Sequence, residues 1–185
     1  MRLFGDNGII EYVRLEKTDT HIVIPEGYLE IAESAFMCQN QLISVTLPKS
    51  LYKIGFMAFH GCKNLREINL NYVKKMENHT FSKSGLQHVS IGSLENVPAC
   101  AFQWCSELKS VLLSDTVRKI EDLAFCGCLS LKEIDLNKVE IVEYQALDAC
   151  DNLKIVVARN LKQIVGIREC TFPTGTQLFC SKDVY

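Results

Sequence analysis

The chain has 185 residues, of which 48% are hydrophobic and 23% are charged. This balance is typical of one soluble globular domain and excludes a disordered or fibrous protein. Its 20 Lys and Arg residues and 22 Asp and Glu residues give a formal charge of −2, so we expect no nucleic-acid partner.

The longest apolar segments contain only a few residues, such as residues 22–24 and 155–158. A membrane-spanning helix needs about 20 apolar residues, so we expect no membrane insertion. Charged residues also interrupt the N-terminal segment, where a secretion signal needs an apolar core of about 7–15 residues. The sequence as written therefore predicts a cytoplasmic protein.

The nine cysteines are an odd number in a chain long enough to form its own core, which disfavours a disulfide framework. The closest pair, Cys126 and Cys128, has no second pair to complete a tetrahedral zinc site. We therefore predict free thiols, no metal site and no cofactor. Cys170 and Cys180 are the better candidates for a disulfide if the protein enters an oxidising compartment.

The first predicted element is a strand over residues 9–15, followed by a turn-forming segment at residues 16–19. Residues 21–31 match the second half of the repeat that follows. Because a stack of repeats must be sealed at its ends, we predict that residues 1–30 form an N-terminal β-hairpin cap and a half-repeat.

From residue 31 onward, a small residue followed by Phe or Leu recurs every 21–23 residues. The pairs are Ala35-Phe36, Ala58-Phe59, Thr80-Phe81, Ala101-Phe102, Ala124-Phe125 and Ala146-Leu147. An aliphatic residue or Met lies five positions before each of these, and Leu lies five or six positions after it. The pattern therefore divides residues 31–163 into six repeats.

Each repeat contains one alternating apolar segment rich in β-branched residues, which predicts a short strand. The residues predicted to point inward are Val45, Leu47, Ile68, Leu70, Val89, Ile91, Val111, Leu113, Ile134, Leu136, Val156 and Ala158. One repeat is too small to bury these side chains, so neighbouring repeats must stack about 4.8 Å apart. The segments lack a 3.6-residue period, which excludes a helical repeat.

Two repeats, FMCQNQLISVTLPKSLYKIGFMAF at residues 36–59 and FQWCSELKSVLLSDTVRKIEDLAF at residues 102–125, carry a specific resemblance. They resemble the BspA-like leucine-rich repeat family in their small residue and Phe, their Cys, and the Leu-x-x-Ile-x-Leu and Val-x-x-Ile patterns. The resemblance implies a β-rich (α/β-class), right-handed leucine-rich-repeat solenoid with parallel strands. It also implies a non-enzymatic interaction module, frequently at cell surfaces, which is the alternative to a cytoplasmic location.

At the C-terminal end the pattern restarts at Ile164, but Arg168 and Glu169 occupy the positions of the small residue and Phe. Unpaired charge buried there would cost several kcal/mol. We therefore predict that the repeat stops and that residues 164–185 form a C-terminal cap.

The solvent-facing positions of the strands form two columns, which are the first candidate binding site. They are Ser44, Glu67, His88, Ser110, Glu133 and Ile155, and next to them Thr46, Asn69, Ser90, Leu112, Asp135 and Val157. Leu112, Ile155 and Val157 are apolar where side chains face water, which can mark an interface, and Lys132 and Asp135 flank them. The columns predict binding of a protein partner or weak self-association; the alternative is a solvated strand surface without a ligand.

The segments that return from each strand carry a second candidate, a basic stripe. Its members are Lys53, Lys74, Lys75, Arg118, Lys119 and Lys162. Such a stripe suits a glycan or another anionic ligand, as in an adhesin-like surface protein. Lysines on exposed strand edges also prevent aggregation, which is the alternative explanation.

A column of cysteines lies three residues after the aromatic position, where a tight turn favours a buried thiol: Cys62, Cys105, Cys128 and Cys150. His79 and Cys100 occupy equivalent positions of neighbouring repeats and could meet as a base and a nucleophile. Their neighbours in that column, Met57 and Leu123, cannot orient an imidazole. We therefore predict no catalytic residues and no enzyme activity.

Overall fold

The computed structural model describes residues 2–166 and 171–180, and in this part of the chain two ladders of parallel strands stack along one axis. The front ladder contains β4 (His21–Val23), β6 (Ser44–Thr46), β8 (Glu67–Ile68), β10 (His88–Ile91), β12 (Ser110–Leu113), β14 (Glu133–Asp135), β16 (Ile155–Ala158) and β18 (Gln177–Cys180). The return ladder contains β2 (Ile9–Ile10), β5 (Glu30–Ile31), β7 (Lys53–Ile54), β9 (Lys75–Met76), β11 (Asn96–Val97), β13 (Lys119–Ile120), β15 (Ile141–Val142) and β17 (Gln163–Ile164). Two further strands, β1 (Arg2–Phe4) and β3 (Tyr12–Arg14), precede the stack. The predicted parallel solenoid is confirmed, with about eight turns in the described residues.

The core consists of the side chains that the alternation assigned to the inside. The predicted inward residues are buried, except that Val111 is only half-buried. The Phe residues form a continuous stack along the axis, with successive ring centroids 4.8 to 5.5 Å apart. This spacing matches the separation of hydrogen-bonded strands, so each turn covers the ring of the turn before it.

The turn that carries each Phe has a backbone conformation that the sequence pattern does not reveal. The residues two positions before and two positions after each Phe, and after Leu147 in the sixth repeat likewise, have φ between +52° and +75°. They are Ser34, Cys38, Met57, Gly61, His79, Lys83, Cys100, Trp104, Leu123, Gly127, Gln145 and Ala149. For residues other than Gly this region is unfavourable. It is held by hydrogen bonds to the next turn, such as those from the Phe36 N–H to the Ala58 oxygen (2.8 Å) and from the Cys38 N–H to the His60 oxygen (2.8 Å).

The N-terminal cap differs from the predicted hairpin. The segment predicted as one strand over residues 9–15 is split, because β2 joins the return ladder beside β5 while β3 pairs antiparallel with β1. The turn at residues 16–19 forms, but β4 then runs parallel to β6. Pairing with the next turn buries Ile10 and Ile22, which a hairpin between these segments would leave uncovered.

The stack continues in the described residues after residue 163, which were predicted to form a C-terminal cap, and that these residues act as a cap stays a prediction. The Leu147 N–H donates to the Thr171 oxygen (3.2 Å), just as the Phe125 N–H donates to the Ala146 oxygen (2.8 Å). Thr171 and Phe172 are buried and take the small-residue and Phe positions, 25 residues after Ala146 and Leu147. β18 then pairs in parallel with β16. Arg168 and Glu169, on which the prediction rested, lie outside the described residues.

Both ladders are interrupted between the turns that begin at Phe59 and Phe81. In the front ladder, β8 and β10 are joined only by a single bridge between Leu70 and Ile91. In the return ladder, β9 and β11 are not paired. The front ladder is interrupted a second time, between β12 and β14. The stacked Phe rings nevertheless continue across the break, so the core stays closed while the two faces open.

Candidate binding face

The front face, defined as the outward side chains of the front ladder, carries the two predicted columns in register. Glu67 lies beside Ser44, and Asp135 lies beside Val157. The exposed predicted residues are Thr46, Glu67, Asn69, His88, Ser110, Leu112, Lys132, Glu133 and Asp135. The half-buried ones are Ser44, Ser90, Ile155 and Val157. The columns are therefore accessible along the whole ladder.

A shallow cleft of about 530 Å³ opens on this face where β8 and β10 separate. Eight of the thirteen predicted residues line it: Ser44, Thr46, Glu67, Asn69, His88, Ser90, Ser110 and Leu112. The His88 Nδ1 atom lies 2.7 Å from the Ser110 hydroxyl, which orients the imidazole at the cleft border. A second His–Ser pair lies near the N-terminal end of the front ladder, where the His21 Nδ1 atom lies 2.8 Å from the Ser44 hydroxyl.

The three predicted apolar residues do not form one continuous patch. Leu112, a residue that is 68% exposed, borders the cleft, whereas Ile155 and Val157 lie on β16. Asp135 on β14 lies between them and forms an ion pair with Arg159 (3.4 Å). The front face therefore presents Leu112 as a separate apolar anchor, with a second apolar area towards the C-terminal end.

The predicted set omits the outward residues of the first and last strands of the front ladder, which are His21, Val23, Gln177 and Phe179, and it omits Asn71 beside the cleft. Phe179 lies beside Val157 and is 54% exposed, but its position in the column depends on the continuation of the ladder beyond residue 163. Val23 lies beside Thr46 and is 66% exposed. Its alternation with Ile22 and Ile24 could have revealed it. Asn71, at the end of the cleft, follows the strand and carries no periodic signal.

The predicted basic stripe is largely neutralised by carboxylates. Lys53 contacts Glu30 (2.7 Å) and Glu77 (3.1 Å), and these bonds raise the pKa of the lysine. The other ion pairs are Lys119 with Glu143 (2.7 Å) and Lys162 with Glu140 (2.8 Å). Arg118 donates to the backbone oxygens of Asp115 and Val117. Within the described chain, only Lys74 and Lys75 of the stripe have neither an ion pair nor a side-chain hydrogen bond.

The cysteine column is buried, and each thiol donates to the carbonyl oxygen of the Phe in the preceding turn. The sulfur–oxygen distances are 3.0 Å for Cys62, 3.1 Å for Cys105, 3.4 Å for Cys128 and 3.1 Å for Cys150. Burial raises the pKa of the Cys62 thiol to about 12 and that of Cys105 to about 11, so neither forms a thiolate near neutral pH. Cys170 lies outside the described residues, and its pairing with Cys180 stays a prediction.

The His79 and Cys100 side chains show no catalytic geometry. The His79 ring packs edge-on against Phe56, with the ring centroids 5.7 Å apart. Burial, and then the charge of Asp122, raises the pKa of the Cys100 thiol. Within the described chain no hydrogen bond joins the two side chains.

The family model for the BspA type leucine-rich repeat region matches residues 29–154 as six copies. The chain belongs to this family. The matched range includes all the stacked Phe residues from Phe36 to Phe125. The resemblance found in the sequence is therefore confirmed. A search of curated proteins found no match.

Solved structures of bacterial leucine-rich repeat proteins share this solenoid fold. The T. pallidum protein TpLRR is 29% identical with a TM-score of 0.76, over 85% of this chain and 76% of that one. A leucine-rich repeat protein from Bacteroides ovatus is 18% identical with a TM-score of 0.64, over 97% and 58%. The pneumococcal vaccine antigen PcpA is 18% identical with a TM-score of 0.70, over 96% and 45%. The last two likenesses concern the fold alone.

BspA-type repeat proteins are typically non-enzymatic binding scaffolds that serve protein interaction or adhesion. Nothing in the described part of the chain forms a helix long and apolar enough to cross a bilayer. Among the same residues, no group of three His, Cys, Asp or Glu side chains is arranged to hold a metal ion.

Proposed function

We propose that the chain is a non-catalytic scaffold that binds a protein partner on its front face. The observation that supports this most directly is the position of Leu112 at the border of the front cleft. An exposed apolar anchor there adjoins the imidazole and hydroxyl of His88 and Ser110. Protein interfaces combine an apolar centre with a polar rim that provides hydrogen bonds, and this arrangement offers both.

The size of the front face limits how a partner binds. Eight strands at about 4.8 Å span about 34 Å, and three residues of strand span about 10 Å. The resulting area of roughly 340 Å² is below the roughly 800 Å² per partner of a stable interface. A tight partner must therefore also contact the turns that follow the strands, for example at Asn71, and a partner confined to the strands binds weakly.

A matched pair of leucine variants tests the proposal. Leu112→Asp places a charge on the front face, whereas Leu129→Asp makes the same change at an exposed Leu in the turn after Phe125. We expect a native cell lysate to yield proteins that the wild-type chain and Leu129→Asp retain and that Leu112→Asp loses. Urea melts should show that both variants keep the fold, since both side chains are exposed. Equal retention by the two variants would place the binding site elsewhere.

Ionic strength separates this proposal from binding of an anionic ligand by the basic stripe. Contacts centred on Leu112 should lose little affinity between low and high salt, whereas binding by lysines should weaken steeply. Self-association through the front face is measured by analytical ultracentrifugation. If the partner is a second copy of the chain, the wild type should sediment as a dimer and Leu112→Asp as a monomer.

A further inference from the structure

The front cleft contains one free carboxylate. Among its described lining residues, Glu67 is the only Asp or Glu, and none is Lys or Arg. Glu67 is exposed, and within the described chain its carboxylate forms neither an ion pair nor a hydrogen bond. The cleft therefore carries one negative charge without an internal partner.

The basic residues beside the cleft do not neutralise this charge. Arg66 precedes Glu67, but its guanidinium pairs with Glu107 (3.3 Å) and donates to two backbone carbonyl oxygens (2.8 and 2.9 Å). Lys109 lies outside the described lining, and in that part of the chain it has no carboxylate within ion-pair distance. Glu67 is therefore available to a cation from outside.

Two amide groups near Glu67 offer hydrogen-bond donors. The Asn69 Oδ1 atom accepts the Asn71 N–H (2.9 Å), and the Asn71 Oδ1 atom accepts the Ser90 hydroxyl (3.3 Å). These bonds fix the orientation of both amides through their oxygens, while in the described chain their nitrogens make no hydrogen bond. Amide N–H groups suit carbonyl oxygens such as those of a peptide backbone.

The apolar anchor Leu112 lies two strands away from Glu67 and two residues further along the strand direction. The bridge between Leu70 and Ile91 aligns β8 with β10, and Ser90 lies beside Leu112 on β12. With about 4.8 Å between strands and about 3.3 Å per residue, the two positions are about 12 Å apart. In an extended segment, residues four positions apart point the same way and are about 13 Å apart. One extended segment can therefore reach both positions.

We propose that the front cleft recognises a basic, extended segment of a partner protein, with an Arg or Lys on Glu67 and an apolar side chain four positions away on Leu112. This inference rests on the proposed front-face function and adds the chemistry of the partner. Arg suits the site best, because its guanidinium presents two parallel N–H donors to a carboxylate. Carbonyl oxygens of the segment between the two side chains accept from the Asn69 and Asn71 amides. The segment lies on the outward side of the strands, and its single ion pair keeps the salt dependence shallow.

The test uses a peptide in which Arg and Leu flank three Ser residues, titrated into the ¹⁵N-labelled full chain and followed by NMR. We expect the side-chain amide signals of Asn69 and Asn71 to shift saturably, with a dissociation constant of about 1 mM or below, since the contact area is small. A peptide with citrulline in place of Arg keeps the shape but lacks the charge, and it should bind about three- to tenfold more weakly.

A matched pair of glutamate variants locates the charge. Glu133 is exposed in the same outward column, on β14, but lies outside the described cleft lining. Glu67→Gln should weaken binding of the Arg peptide about three- to tenfold, whereas Glu133→Gln should change it less than about twofold. Glu67→Gln should not weaken binding of the citrulline peptide further, because the two changes remove the same ion pair.

Four results would overturn the inference: no saturable shift up to about 10 mM peptide, equal binding of the citrulline peptide, equal weakening by the two Gln variants, or equal shifts of the Asn69 and Asn71 signals by maltohexaose, which would assign the cleft to a neutral glycan. If Leu112→Asp loses proteins from the lysate while Glu67→Gln binds the Arg peptide normally, the inference fails and the front-face proposal stands. Equal retention of lysate proteins by Leu112→Asp and Leu129→Asp contradicts the front-face proposal itself.

Discussion

At the scale of single residues, the cysteine and Phe columns are joined by hydrogen bonds. Each column thiol donates to a Phe carbonyl of the preceding turn, and Ser84 takes the same column position where the repeat lacks Cys, 3.3 Å from the Cys105 sulfur. A thiol is small enough for the tight turn and still provides a weak donor to a buried carbonyl. The column is therefore explained by packing and satisfied polar groups rather than by chemistry at sulfur.

The raised pKa of Cys62 predicts a loss of stability in alkaline solution. Its folded pKa of about 12 exceeds the ordinary value of 9.0, so the unfolded chain releases the proton first as pH rises above 9. The stabilisation is complete below pH 9 and is lost progressively towards pH 12. Removal of this thiol in Cys62→Ala should make the decline in the free energy of unfolding shallower, by up to about 1.4 kcal/mol per pH unit. Urea melts between pH 8 and 11 measure the two slopes; parallel slopes would contradict the assignment.

At the scale of elements, the N-terminal cap depends on the turn that joins β1 to the first return strand. The rings of Phe4 and Tyr12 stack with their centroids 4.5 Å apart across the β1–β3 pair. Gly5 has φ of +143°, and a Cβ atom at this position would lie 2.0 Å from the Ile9 oxygen. Only a residue without a side chain allows this close approach.

Gly5→Ala should therefore open the β1–β3 pair, and Gly27→Ala is its matched control. Gly27 also has positive φ (+101°), but an added Cβ atom meets nothing within 4 Å. Both variants carry backbone strain, whereas only Gly5→Ala adds a collision. Hydrogen exchange should show loss of protection at residues 2–4 and 12–14 in Gly5→Ala alone. Equal loss in both variants would mean that the backbone conformation, not the contact, holds the cap.

At the scale of the whole molecule, each turn is stabilised by its neighbours, so position along the stack decides how far a defect spreads. Phe102 lies between Phe81 and Phe125, at ring centroid distances of 5.5 and 5.3 Å. Phe172 is buried in the final described turn. A cavity in the middle weakens interfaces on both sides, whereas a cavity at the end weakens only one.

Phe102→Ala should lower the free energy of unfolding of the whole stack by about 3–5 kcal/mol, the usual cost of deleting a buried aromatic side chain. Phe172→Ala should instead increase hydrogen exchange in β18 and the adjoining turn while the central strands stay protected. Urea melts and hydrogen exchange measure the two effects. A loss below 1 kcal/mol in Phe102→Ala, or global loss of protection in Phe172→Ala, would contradict this description.

The amino-acid sequence by itself determined the solenoid, its repeat length and the inward and outward columns. These features are periodic: the Phe residues and the alternating apolar residues recur at nearly constant spacing, and burial by neighbouring turns is the simplest way to cover them. The predicted front-face residues lie where the alternation placed them. Whether they bind a partner stays a prediction.

Only the tertiary structure decided where this periodicity is broken and what the breaks expose. The buried Thr171-Phe172 pair continues the stack after an irregular spacing of 25 residues, which a search at constant period misses. The ion pairs that neutralise Lys53, Lys119 and Lys162 join residues 22–24 positions apart, so they depend on the register between turns. Pro98 is visible in the sequence, but the effect of its missing N–H depends on which carbonyl of the neighbouring turn it would have reached. Local pattern thus determines the repeating unit, and contacts between turns determine the front cleft and the opening between β9 and β11.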